Sequence, residues 1–397
     1  MRGNCMLDMK HTLNSILLAG TFFLVGCNST QSNIQVDQSL ADNAFFKQHK
    51  VETQNDVFRL DSKITSKLTS YFNDGPPHLS QAEALMQFLV DNGEASMAYQ
   101  SNANLTASEA FDNLNANCLS LSILAYSLSE FLGFDGQFQR VHIPEYWDQT
   151  QGYSLLTGHV NLVVSEANRS LGAAHVLYSK PKSITIDFDP NSREQDFPVS
   201  NITKNRILSM FYSNKGAMAL IDKDYDLAYS YFKAAINTDP YYSGAWGNLG
   251  IVFRVTGFEQ QAEQVYKQAL ALNPQNSNVL GNLALLYKMT DREAAGDQIL
   301  ARLDDRRKSN PYYQIVKGNE AISANKLSEA LAYFRQAKKL DSRLHDSYFG
   351  MAKVYYLRGE IELSKHYLSK AYEYSNYEHD RTRYQGKLQW LQAVAKN

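Results

Sequence analysis

Small residues recur every 34 positions through the second half of this chain, at Gly216, Gly250, Ala284, Gly318 and Ala352. A second small series keeps the same step at Ala228, Ala262, Gly296, Ala330 and Ser364. A large apolar series keeps it at Phe232, Tyr266, Leu300, Phe334 and Leu368. Few folds satisfy all three at once. Small side chains let two antiparallel helices approach closely, and the large ones fill the space between neighbouring pairs. Pro240 and Pro274 fall where the second helix of the first two units must stop, because proline cannot continue a helix. The pattern predicts a stack of helical hairpins, each burying its apolar face against its neighbours.

This period and spacing resemble the tetratricopeptide repeat. Five units fit between residues 209 and 378, the third matching least well, with Leu303 where the others have alanine. Residues 379–397, with Leu388, Trp390, Leu391 and Ala395, are expected to form a capping helix. Asn214, Asn248 and Asn282 keep the same step at a position that, by the resemblance, faces the concave groove. Amides in a row can hydrogen-bond the backbone of an extended peptide. The plainer reading is that asparagine is simply common there.

At the other end, Met9-Lys10-His11 leads into an apolar run too short to span a bilayer comfortably, closed by Gly26. Residues 1–26 thus read as a secretory signal, with translation starting at Met1 or Met9. Leu24-Val25-Gly26-Cys27 resembles the bacterial lipobox, which implies that Cys27 carries the lipid and becomes the mature N-terminus. Asn28, rather than aspartate, fits sorting to an outer membrane. The expected location is the bacterial cell envelope, lipid-anchored and facing the periplasm. A plain membrane anchor is the alternative, opposed by the polar sequence from Asn28 to Asn33. Polar residues 27–44 are expected as a flexible tether. At 397 residues the chain has room for two or three domains, and a net charge of −2 speaks against nucleic acid, which needs a basic stripe.

Residues 45–200 have a different texture. With Cys5 in the leader and Cys27 lipidated, Cys118 is the remaining free thiol in a chain bound for an oxidising compartment. It opens an apolar helix expected to end at Gly133, and a helix N-terminus stabilises a thiolate. Thr106-Ala107-Ser108-Glu109 reads as a capping box for a short helix before it. Residues 138–143 alternate as a strand ending at Pro144. Residues 158–164 form a second strand that starts with His159, and 184–190 a third carrying Asp187 and Asp189. A lone cysteine is more often a buried structural residue. Here a cysteine on a helix, a histidine on a strand and an aspartate on the next strand follow the order that thiol chemistry uses. The imidazole takes the thiol proton, and the carboxylate holds the imidazole in its tautomer. His142 is an alternative base, though a surface or packing role is commoner, and His175 falls in a connecting stretch. Asn117, beside the thiol, is a candidate oxyanion donor, behind the Cys118 backbone N–H. Tyr146 and Trp147 read as cleft lining or core. Neither a zinc spacing nor a glycine-rich phosphate loop occurs, so no metal and no cofactor is expected.

Segments 105–111, 117–120, 138–141, 143–147, 158–161 and 186–190 resemble the transglutaminase-like superfamily of papain-type folds, in particular bacterial members joined to tetratricopeptide repeats. The resemblance implies an α+β papain-type domain followed by an all-α solenoid. It further implies Cys118 as nucleophile, His159 as base and Asp187, in preference to Asp189, as its orienting residue. Ala116 replaces the glycine usual before Asn-Cys, and Asn161 stands where many transglutaminases have tryptophan. The function implied is a lipid-anchored cysteine hydrolase or acyltransferase acting on a protein or peptide amide, with the repeats binding substrate or partner. Hydrolysis is favoured because water is always present. The rival reading is a non-catalytic scaffold lipoprotein for envelope or surface assembly.

Overall fold

The computed structural model describes residues 34–74, 80–91, 103–113, 116–150, 153–165, 183–188, 197–376 and 378–394. The leader with Cys27, together with His175, Asp189 and Ala395, lies outside them. Among the described residues a 3-10 turn at Gln38–Ala41 comes first, followed by the helices α1 (Gln54–Phe58), α2 (Ser62–Asp74), α3 (Gln81–Asp91) and α4 (Ala107–Asp112). Thr53 and Thr106 each close a capping box, with Asp56 and Glu109. Helix α5 (Cys118–Phe131) is buried on nearly every side, and two of its serines bond back along the helix: Ser127 Oγ donates to Ile123 O and Ser129 Oγ to Ala125 O. Gly133, at φ +75°, ends it, a conformation that a side chain disfavours.

Four strands follow, β1 (Asp135–Thr150), β2 (Tyr153–Ser165), β3 (Ser183–Ile186) and β4 (Val199–Asn201), in an antiparallel sheet ordered β3-β2-β1-β4. Leu121, Leu124, Ala125 and Leu128 of α5 share a core with Phe138, Val160, Leu162, Val164 and Ile186 of the sheet. The strand expected to stop at Pro144 instead runs on to Thr150 as one arm of a long hairpin. Its register breaks between Val141, opposite His159, and Tyr146, opposite Thr157. Pro144, with no N–H to give, falls inside that break, where the ladder has no use for one.

The second half is a helical solenoid of five hairpins: α6 (Lys204–Ile221) with α7 (Tyr225–Thr238), α8 (Ser243–Val255) with α9 (Glu259–Leu272), α10 (Ser277–Met289) with α11 (Glu293–Arg307), α12 (Pro311–Ser323) with α13 (Leu327–Leu340), and α14 (His345–Leu357) with α15 (Ile361–Tyr374). The last helix, α16 (Glu378–Val394), buries Tyr384 and Leu391. The small and large series meet within hairpins. A Cβ on Gly216 would stand 2.7 Å from the Phe232 ring, and one on Gly318 2.6 Å from that of Phe334. The third hairpin departs from this. Leu300 is left 40% exposed, while Leu303, larger than its alanine counterparts, is buried. Helix α6 starts at Lys204, a turn before the repeat frame, because Ile207 and Leu208 join the core shared with α5.

Much of the expected tether is not free. From Val36 onward the polar segment packs on the repeats as a strap. Asn43 N–H donates to Tyr229 Oη and Tyr229 Oη–H to Ala41 O; Gln261 Nε2 donates to Leu40 O and Asp42 O. Lys47 N–H donates to Asp226, His49 N–H to Ser230, and Tyr212 Oη–H to Glu52 O. Phe46 stacks on Tyr229 at 4.6 Å. Helix side chains satisfy the strap's backbone groups, which is why a segment without apolar periodicity is held in place.

Candidate functional site

Cys118 occupies the first turn of α5 because Asn117 caps that helix. Asn117 Oδ1 accepts from Ser120 N–H at 2.9 Å, and Asn117 Nδ2 donates to Asn104 Oδ1 at 2.7 Å. Both ends of that carboxamide are engaged, and Asn117 is the residue that starts the helix. Ser120 pins the preceding loop, accepting from Leu105 N–H and donating to Ala103 O.

The register break in the β1–β2 hairpin sits beside this helix end. Gly158, the β2 residue at the break, presents its carbonyl 3.9 Å from Cys118 Sγ. His159 comes next, 2% exposed, with Nε2 at 3.0 and 3.1 Å from the two oxygens of Asp187. Asp187 directly follows β3, whose Ile186 pairs with Leu162 of β2. Burial pushes the His159 imidazole down, but hydrogen bonds to Asp187 and to Cys118 outweigh it and hold the ring up at about 10. With Nε2 turned to Asp187, Nδ1 is the ring nitrogen left for the thiol. The structure therefore brings Cys118, His159 and Asp187 together, and leaves His142 out: its Nε2 bonds Ser200 Oγ at the exposed edge toward β4. Tyr146 and Trp147 lie on the hairpin arm beyond the break.

Asn161, a departure from the family pattern, is buried two residues after His159, and among the described residues its Oδ1 has no hydrogen-bond partner. Among the described residues no group of three or more His, Cys, Asp or Glu could hold a metal.

On the repeats, Asn214, Asn248 and Asn282 lie half-buried on α6, α8 and α10. Asn282 donates to Asn278 O and accepts from Arg254, whose guanidinium also reaches Met289 Sδ. Val255, Leu285 and Met289 nearby stay exposed. Asn282 thus has neighbours of its own, which the repeat spacing alone does not reveal.

A family model described as tetratricopeptide repeat matches residues 259–319. No curated protein matches the chain by sequence. Among solved structures, the chain is similar to YrrB, described as a TPR protein with an unusual peptide-binding site, at 16% identity over 45% of this chain and 92% of that one, TM-score 0.25. It is also similar to Pseudomonas aeruginosa pilF, at 18% identity over 48% and 90%, TM-score 0.30. A third is MamA, at 18% identity over 45% and 95%, TM-score 0.26. The family match falls within five stacked hairpins that keep one spacing of small and large residues, and the C-terminal half of this chain is a helical solenoid similar to tetratricopeptide repeats, matched to them over residues 259–319.

Proposed function

We propose that this chain is a protein-interaction scaffold of the bacterial cell envelope, held at a membrane by lipid on Cys27, with the repeats recruiting the partner. The observation that carries this reading is the family match over 259–319 within a continuous stack of hairpins. Such a stack offers an extended surface that a partner engages along its length. The test is capture of partners by the full chain and by its Cys118→Ala variant, with complementation of a deletion strain by Cys118→Ser. Equal capture and full complementation are expected. A deletion phenotype that Cys118→Ser leaves uncorrected would overturn the scaffold reading.

One specific observation favours a second reading, that of a transglutaminase-like cysteine hydrolase. A buried imidazole with its proton number raised, set between a carboxylate and a thiol at a helix start, is the arrangement of an activated nucleophile. In this reading the Cys118 thiolate attacks the carbonyl carbon of a protein amide. The C–N bond breaks as His159 gives its proton to the departing amine, and water then releases the acyl group as a carboxylate. Asp187 keeps the imidazole oriented throughout. Fast, selective alkylation of Cys118 by iodoacetamide, slowed strongly in His159→Ala, would support it. A thiol reacting at the same rate in both proteins would end it.

A further inference from the structure

We propose that Glu145 is a positioning residue for Cys118: gripped by the solenoid, it holds the Gly158 carbonyl against the thiol and ties the thiol's reactivity to the α11–α12 joint. The inference rests on the thiol reading of that site and gives it a regulation. Where the β1–β2 ladder breaks, β1 spends four residues, His142 to Glu145, against the single Gly158 of β2. A bulge re-aims the groups beside it. This one is held at both ends by other parts of the chain. At one end His142 N–H donates to Pro198 O at 2.8 Å, and its ring meets Ser200 Oγ at 3.0 Å, on the way into α6. At the other, Glu145 Oε2 accepts from Arg307 Nε and Glu145 O from Asn310 Nδ2, both at 2.7 Å. Asn310 also caps α12, its Oδ1 accepting from Tyr312 and Tyr313 N–H.

Gly158 stands opposite this bulge, and Cys118 Sγ–H donates to its carbonyl at 3.9 Å, a long contact. A thiol bonded this way is in its protonated form, since the partial negative charge of a carbonyl oxygen repels a thiolate. The reactive form is a thiolate against the His159 imidazolium, and that carbonyl opposes it. His159 itself does not depend on the bulge: it pairs with Val141 on the sheet side of the break and is tied to Asp187. Moving Glu145 therefore moves Gly158 and leaves the imidazole in place. Helix α11 buries only Gly296 and Leu303, so the joint that grips Glu145 is where the stack bends most easily. A protein partner that bends the stack there draws Glu145 away, withdraws the carbonyl and favours the thiolate.

The experiment uses the full chain, with iodoacetamide alkylation located at Cys118 by mass as readout and the His159 imidazole followed by NMR. Arg307→Ala is expected to react about threefold faster at neutral pH, the worth of one weak hydrogen bond. Its pH profile of alkylation should move toward acid, while the His159 titration stays as in wild type. Loss of a cation by itself disfavours a thiolate, so the charge change alone would give the opposite sign. The charge-exchanged pair, Glu145→Arg with Arg307→Glu, should return the rate toward wild type, which a general loosening of the repeats would not allow. An unchanged rate in Arg307→Ala, with His159→Ala still slowing the reaction, would overturn the proposal and leave the thiol reading intact. A faster rate that the exchanged pair does not correct would also overturn it. One rate shared by wild type, Arg307→Ala and His159→Ala would end the thiol reading itself.

Discussion

His159 carries its proton far above the ordinary range although burial opposes it, so its stability contribution has a definite pH dependence. Below about 6.5 the imidazole is protonated both folded and unfolded, and the contribution is complete. Between there and about 10 only the folded chain holds the proton, and the contribution falls as the pH rises. Asp187→Asn should lower this titration and flatten that alkaline loss. It should also destabilise the fold by about 3 kcal/mol near neutrality, as removal of one partner of a buried pair does. Urea denaturation across this pH range, with the imidazole followed by NMR, reads both, and an unchanged titration would count against the pairing. Lys353 has the opposite sign. Its ammonium is disfavoured when folded, so Lys353→Met should raise the urea midpoint, and a lowered midpoint would show that the charge is better satisfied than its neighbours imply. His159 lies inside β2 at its register break, but the positions of Cys118 and Asp187 were legible because each stands at an element's start or end, where sequence punctuation is strongest. The state of Asn117 was not, since its partner Asn104 belongs to a preceding loop with no pattern that points back to it.

At the scale of elements, the repeat register makes the sharpest claim. Gly250 on α8 faces the fully buried Tyr266 ring on α9, and any Cβ there meets that ring. Gly250→Leu should force the hairpin apart and cost about 1–3 kcal/mol, checked by thermal denaturation; an unchanged transition would mean the register is wrong. This packing could be read from the sequence because it is local. Gly250 and Tyr266 belong to one hairpin, and the same pair recurs in other hairpins as Gly216 with Phe232 and Gly318 with Phe334. The strap from Val36 to Thr53 could not. Its anchors Tyr229, Ser230 and Gln261 lie far along the chain, and its own residues show neither helical nor strand periodicity. Composition gave it the look of a linker, yet the Phe46 ring packs against those of Tyr229, Phe253 and Phe258. Phe46→Ala should therefore behave as a core substitution, destabilising by about 3 kcal/mol, and should open the strap to proteolysis. A strap that stays protected would show that its hydrogen bonds suffice.

Across the whole molecule, the hydrophobic core is not continuous. One cluster runs from the strap and the α+β part through α6 to α10, and a second spans α12 to α16. Between them lies α11, where only Gly296 and Leu303 are buried, so the apolar stacking that couples neighbouring repeats is thinnest there. The β1–β2 hairpin arm reaches this same joint. Glu145 accepts from Arg307 Nε at 2.7 Å, and Asn310 Nδ2 donates to Glu145 O at 2.7 Å, on either side of the turn that links α11 to α12. An arm that leaves the sheet beside His159 thus braces the solenoid where its own packing is weakest. In a nearest-neighbour stack, loosening one joint lets the far segment open without the near one. Arg307→Ala should accordingly speed hydrogen exchange in α12 and α13 and leave α6 to α9 unchanged. A double-mutant cycle with Glu145→Ala should give a coupling of about 1 kcal/mol, because the pair is only partly screened from water. Faster exchange spread evenly over all the hairpins would mean that the core is cooperative through α11. No change anywhere would mean that the arm rests on the joint without bracing it.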